Sequence, residues 1–234
     1  MPFDRFYVET SLFSSSQTVL EKTELHHLAH VMRIRVGETI ELIDGKGTLA
    51  KATVASLDKK KALLTIEEII SQEPATTPKI LLGIPLLRPS KLEWILEKGT
   101  ELGVDAFLIY PADFSDKKTL SQSVLERLQM LMISAIKQSG RLFLPSLSLL
   151  SHFSHLFTTE ATILYGDTRN SAKKINTFPF PILFITGPES GFSQEEYALL
   201  EKKGTGIQLN EHTLRAETAP LTAASLLAWH KLYL

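Results

Sequence analysis

The spacing of apolar positions changes once along the chain, and the change divides it in two. Up to about residue 70 the apolar residues form short runs at 6–8, 38–43, 48–56 and 62–70. Runs of this length between turn residues read as strands. Asp44-Gly45-Lys46-Gly47 and Asp58-Lys59-Lys60-Lys61 supply the turns. One helical pattern interrupts them: Leu25, Leu28, Val31 and Met32 fall on one face, with Thr23 as the expected N-cap. Short strands around a single helix predict a small β-barrel over residues 1–72.

Residues 73–78 continue Ser71-Gln-Glu-Pro-Ala-Thr-Thr-Pro78, whose two prolines and small polar residues make a linker. Beyond it the apolar runs are unbroken: 80–87, 106–110, 162–165, 181–186 and 206–209. Strands covered on both faces look like this, as in a parallel sheet. Between them, Leu92, Ile95, Leu96, Gly99 and Leu102 line one face of a helix ending at Gly103. Val124, Leu125, Leu128, Leu131, Met132, Ala135 and Ile136 mark a second helix. A C-terminal helix with Pro220 in its first turn is apolar over more than one face, as in a buried or interface helix. Alternating buried strands and amphipathic helices predict an α/β domain with a mostly parallel sheet over residues 79–234.

Composition narrows the chemistry. The chain has no cysteine, which excludes disulfides, thiolate zinc sites and cysteine nucleophiles. His26 and His30 stand four apart, but no third ligand is near, so no metal is expected. No apolar run approaches the roughly 18 residues of a membrane span, and the first residues lack a secretory pattern. A cytoplasmic protein without membrane contact is the expectation. Net charge is -1, and residues 1–70 carry 9 basic and 10 acidic residues against 16 and 16 in the remainder. A protein that coats nucleic acid through a broad positive field is thereby disfavoured; an RNA site must be a local patch. Arg33, Arg35 and the Lys59-Lys60 turn are candidate phosphate contacts, although such a turn also reads as a solvated hairpin tip.

Three stretches carry candidate chemistry. In Thr186-Gly-Pro-Glu-Ser-Gly-Phe-Ser193 a buried strand runs into a Gly/Pro loop and then a helix. Ser193 and Glu196 form a capping box, and Phe192 and Tyr197 occupy the positions of a hydrophobic staple. Gly187 and Gly191 let the backbone turn and approach a ligand. The loop lies at the carboxyl end of a strand, where open α/β sheets bind ligands. It is neither a Walker loop nor a dinucleotide fingerprint, and Ser190 is one place late for a nucleophile elbow. The second stretch, 209–219, carries Arg215, Glu217 and Thr218 before the last helix; a solvated surface pair is its plainer reading. The third places Gln138, Ser139 and Arg141 around a glycine at a helix end, which by itself is an ordinary C-cap.

In order, "HHLAHVMRIRVGE", "KLEWILEKGTELGVDAFLIYP", "AIKQSGR", "FITGPESGFSQEE" and "LRAETAPLTAA" resemble the bacterial 16S ribosomal RNA uracil-N3 methyltransferases of the RsmE type, in the SPOUT class. The resemblance spans nearly the whole chain. It implies an N-terminal PUA-like RNA-binding barrel, a C-terminal domain with a trefoil knot, and a homodimer. It implies S-adenosyl-L-methionine as cofactor and a uridine of 16S rRNA in the small ribosomal subunit as substrate. Carried over by motif, the cofactor would be held around Leu164, Thr186, Gly187, Pro188, Glu189, Gly191, Leu209, Leu214 and Thr218. Arg215 and Arg141 become candidates for stabilising a uracil anion, with Glu217 orienting an arginine or accepting the proton. His27, Arg33, Arg35, Lys59, Lys60 and Arg141 become candidate RNA contacts. Three positions depart from the family pattern. Ser190 and Asn210 stand where glycine is usual, and Ser190 is expected to reshape its loop slightly; Lys137 stands where glutamate is frequent. A SPOUT enzyme acting on another RNA atom, such as a ribose oxygen, and a non-catalytic ribosome-assembly factor are the alternatives.

Overall fold

The computed structural model describes residues 4–9, 15–74, 76, 79–115, 119–169, 172–174 and 177–233. The chain forms two compact units, residues 1–74 with 133–144 and residues 75–132 with 145–234.

In the first unit, β1 (Arg5–Tyr7), β2 (Gln17–Glu21), β3 (Thr39–Ile43), β4 (Thr48–Leu57) and β5 (Lys61–Ser71) make one sheet in the order β1-β3-β4-β5-β2. Only the β1–β3 pair is parallel. Ala50, Ala52 and Val54 alternate inward along β4 and meet Phe6, Leu20, Ile40, Leu42 and Leu64 in a fully enclosed core. Two register shifts between β4 and β5 bend the sheet over this core. The turn after β3 is tied by Asp44, whose Oδ1 accepts from the backbone N–H groups of Lys46 and Thr48. Asp58 ties the β4–β5 hairpin the same way, accepting from Lys60 and Lys61.

The helix of this unit differs from the expectation. It is α1 (Lys22–His26), and its N-cap is Glu21, which makes no side-chain cap bond; Thr23 does not cap it. The chain leaves β2 directly, and Lys22 turns it with φ 49°, so the end of the strand sets the helix start. A π-helical turn, His27–Met32, follows. Its wider spacing carries Val31 and Met32 off the apolar face into solvent and leaves Leu25 and Leu28 to anchor the helix. Strand β2 was not expected at all. Residues 133–144 group with this unit: Leu144 N donates to Gly45 O at 2.8 Å, and Lys137 pairs with Glu24 at 2.8 Å.

The second unit has a seven-stranded, wholly parallel sheet. Its strands are β6 (Ile80–Pro85), β7 (Ala106–Tyr110), β8 (Ser146–Leu149), β9 (Thr162–Gly166), β10 (Lys173–Lys174), β11 (Ile182–Ile185) and β12 (Thr205–Gln208). The order is β10-β12-β9-β11-β6-β7-β8. The helices are α2 (Pro89–Glu101), the first part of α3 (Gln122–Ser139), whose residues from 133 on group with the first unit, α4 (Gln194–Lys203) and α5 (Thr218–Lys231). Every residue of β11 is buried between its neighbours β6 and β9, as its unbroken apolar run requires. Helix α5 buries Pro220, Ala223, Ala224 and Leu227 and leaves Trp229 62% exposed. No helix among the described residues is long and apolar enough to cross a membrane.

Candidate functional site

Strands β12, β9 and β11 are adjacent and parallel, so the loops at their carboxyl ends emerge side by side. Those loops enclose a cavity of about 640 Å³, within the range of small-molecule sites.

The loop after β11 is built from both ends. At its start, the fully buried Tyr110 donates its hydroxyl to Thr186 O at 2.7 Å, and Thr186 N donates to Gly83 O. At its end the capping box is complete: Ser193 Oγ accepts from Glu196 N, and Glu196 Oε2 accepts from Ser193 N. Glu196 Oε1 also accepts from Asp113 N, which ties α4 to the segment after β7. Phe192 and Tyr197 pack with ring centroids 5.3 Å apart, completing the staple. Between these anchors Gly191 N donates to Pro188 O, and Gly191 alone takes a left-handed φ, 78°. Neither Ser190 nor Asn210 has a positive φ, so both replacements of glycine sit without backbone strain. Asn210 Oδ1 accepts from His212 N and braces the loop after β12.

The structure brings together Thr186, Gly187, Pro188, Glu189, Gly191, Leu209, Leu214, Arg215 and Glu217 in the cavity wall. Three expected residues lie elsewhere. Leu164 is fully buried in the middle of β9, where its side chain serves the sheet core; Gly166, Asp167 and Thr168 line the cavity in its place. Thr218 opens α5, its N–H bonded to Arg215 O, and its neighbours Glu217 and Ala219 face the cavity. Arg141 belongs to the 133–144 segment of the first unit and does not line the cavity.

Two polar groups were missed by the sequence. Lys91, in the first turn of α2, places Nζ 2.6 Å from Glu189 Oε1 and 2.9 Å from Glu217 Oε2. It thus joins the two loops that carry the motifs. Hydrogen bonds from Lys91 hold both carboxyls below their ordinary range, and the carboxylates in turn raise the ammonium. Arg215 adds its charge to the pull on Glu217. A carboxylate so stabilised in its charged form is a poor proton acceptor at neutral pH. The second group is Asp167, whose buried carboxylate takes a forked contact from Arg169, with Nη2 to Oδ2 at 2.7 Å. Arg169 also reaches Glu201 at 2.7 Å and lies over the Tyr197 ring. Gly206 makes room for Asp167, since a Cβ there would stand 2.7 Å from Oδ2.

The RNA-contact candidates lie in the first unit. Lys59 and Lys60 are exposed at the β4–β5 hairpin; Arg33 and Arg35 are exposed between the π-helical turn and β3. Arg33 takes φ 57°, and Arg35 N donates to Glu38 Oε2. His27 is half-buried with its ring 5.6 Å from that of Phe6, and its Nδ1 is buried without a hydrogen-bond partner among the described residues.

Two family models match the chain. The RNA methyltransferase domain model matches residues 74–228, and the RNA methyltransferase PUA domain model matches residues 20–67. A ribosomal RNA small subunit methyltransferase E of Bacillus subtilis is 29% identical over 88% of this chain and 87% of its own. That of Synechocystis is 29% identical over 94% of this chain and 75% of its own. The crystal structure of a ribosomal RNA small subunit methyltransferase E from Neisseria gonorrhoeae, bound to S-adenosyl methionine, superimposes with a TM-score of 0.85 at 28% identity, covering 97% of this chain and 98% of that one. The model match over residues 74–228, on a parallel sheet with its cavity at the carboxyl ends of β9, β11 and β12 and after a small, mostly antiparallel domain, thus places the chain in the RNA methyltransferase family.

Proposed function

We propose that the protein uses S-adenosyl-L-methionine to methylate N3 of a uridine in 16S rRNA of the small ribosomal subunit. The observation that carries this reading is the cavity itself. Its loops hold the motif residues that carry the resemblance to small-subunit rRNA methyltransferases, and a relative of that name was crystallised with S-adenosyl methionine.

The residues present suit that cofactor. The wall combines apolar side chains, Ile207, Leu209 and Leu214, for a purine with carboxylates for a cationic centre and an amino group. Glu217 meets Lys91 through Oε2 at 2.9 Å, and its carboxylate stays charged at neutral pH, as a partner for a cationic group. When bound, S-adenosyl-L-methionine supplies an electrophilic methyl group. The backbone of the 186–191 and 209–217 loops holds it, and Lys91 locks those loops together. Arg215, exposed at the cavity wall, donates to a uracil carbonyl oxygen and stabilises the anion formed as N3 loses its proton. Glu217 serves as the partner of Lys91, and the proton passes to water.

A trefoil knot in the tail is part of this reading. Its support is that β12 and α5 come last in sequence yet lie against earlier elements, β12 beside β9 and α5 against β6. A homodimer is supported by the exposed Trp229 and Tyr233, whose rings pair 4.7 Å apart at the end of α5; sedimentation as a monomer at micromolar concentration would remove it. The reading also places the protein in the cytoplasm, with its ribosomal substrate.

Arg215→Ala tests the mechanism. It should keep wild-type stability and cofactor affinity by calorimetry while methyl transfer falls about 10²- to 10³-fold, the usual loss for one donor to a developing anion. Wild-type kinetics would take Arg215 out of the reaction.

A further inference from the structure

We propose that a second cavity, of about 720 Å³, receives the target nucleotide, with the Phe114 ring stacking on the base, Arg88 meeting its phosphate and the Ser115 hydroxyl bonding to the base edge. This rests on the methyltransferase reading and names the place of its acceptor.

Methyl transfer needs the acceptor nitrogen about 3–3.5 Å from the methyl carbon. The base must therefore enter a space that opens on the cofactor cavity. The second cavity adjoins the first: Lys91, Pro188, Glu189 and Ser190 line both. Its remaining wall has the chemistry of a nucleotide site. Phe114, just beyond β7, leaves 55% of its surface in solvent, and an exposed ring of this kind is a platform for an unstacked base. Arg88, the N-cap of α2, is exposed and brings a guanidinium suited to phosphate. Ser115 Oγ is buried without a hydrogen-bond partner among the described residues, while its backbone is pinned to Ala112 O at 3.0 Å. A buried hydroxyl left unpaired is costly, and a base edge supplies the missing partner. A base extruded from its strand offers a π-face, an edge and a phosphate, one for each of these groups.

The full-length protein, with Phe114→Ala, Phe114→Tyr and Arg88→Ala, tests this on small ribosomal subunits. Both alanine variants should lower kcat/KM about 10- to 100-fold while cofactor affinity by calorimetry and thermal midpoint stay unchanged; Phe114→Tyr should stay within a few-fold of wild type. Saturation-transfer NMR with uridine 5′-monophosphate should saturate the base protons in wild type and not in Phe114→Ala. Wild-type kinetics in both alanine variants, or an equal NMR response, overturns the pocket alone. A wild type that methylates no small subunit defeats the underlying reading, and the pocket with it.

Discussion

At the scale of single residues, the cavity is held by charges that neutralise one another across loops. Asp167 shows how finely. Burial pushes its carboxyl up, but the side-chain fork, the backbone N–H and the charge of Arg169 together outweigh burial and hold it below the ordinary range. A folded value below the unfolded one, near 3.9, makes the contribution complete at neutral pH; it is lost only as pH falls through the depressed value. In Arg169→Ala the side-chain fork and the charge are gone, and only the backbone N–H of residue 169 still opposes burial. The folded value then rises, and the carboxylate contributes less stability at neutral pH. Denaturant unfolding should find this variant less stable than wild type at pH 7 and closer to it at pH 4. Parallel pH profiles for the two proteins would show that Arg169 does not govern Asp167. Lys91 illustrates why such residues escape a sequence reading. In sequence it is one polar position on an amphipathic helix, and its partner Glu189 lies 98 positions away. Only the parallel sheet, by setting α2 beside the loop after β11, makes them neighbours.

At the scale of elements, what was legible had a local cause. The strands of the sheet read correctly where both faces are covered, because burial writes an unbroken apolar run. The start of α4 read to the residue because Ser193, Glu196, Phe192 and Tyr197 satisfy one another within five positions. Strands β2, β8 and β10 stayed illegible because their stability comes from the neighbours they pair with. Ser146–Leu149 alternates polar and half-buried residues at an edge of the sheet and looks like a connector. Thr23 failed as a cap because a preceding strand, absent from the reading, fixes where the helix begins. In the cavity wall the candidates flanked by glycine and proline stand together, whereas Leu164 lies two to four positions before the lining residues of its strand, because a strand's interior and its carboxyl end share one apolar run. The capping box carries its own test. Ser193→Ala removes the bond to Glu196 N and that to Asp113, so it should destabilise the second unit by about 1 kcal/mol, within the 0.5–2 kcal/mol of lost caps. Cofactor affinity should fall with it, since the loop before α4 loses its far anchor. An unchanged unfolding midpoint would place the stability of this loop elsewhere.

At the scale of the whole molecule, a net charge of -1 constrains how RNA is held. Each phosphate neutralised by a lysine or arginine releases condensed counterions, and binding weakens with salt in proportion to their number. A chain with balanced charge in both parts has few cations to spare for this. The candidate phosphate contacts on the first unit are Arg33, Arg35, Lys59 and Lys60, all exposed; Lys51 and Lys137 there are already paired with carboxylates. Four contacts correspond to a slope of about -3 to -4 in a plot of log affinity against log salt. The double variant Lys59→Ala, Lys60→Ala should reduce that slope by about two and weaken binding to 16S rRNA alike for all sequences, since phosphate contacts carry no base information. Cofactor binding should not change, because both lysines lie in the unit that does not contribute to the cavity. Filter binding at several salt concentrations measures both quantities. An unaltered slope would mean that the hairpin tip is solvated and that RNA is gripped by another face, leaving shape recognition with a still larger share of the affinity.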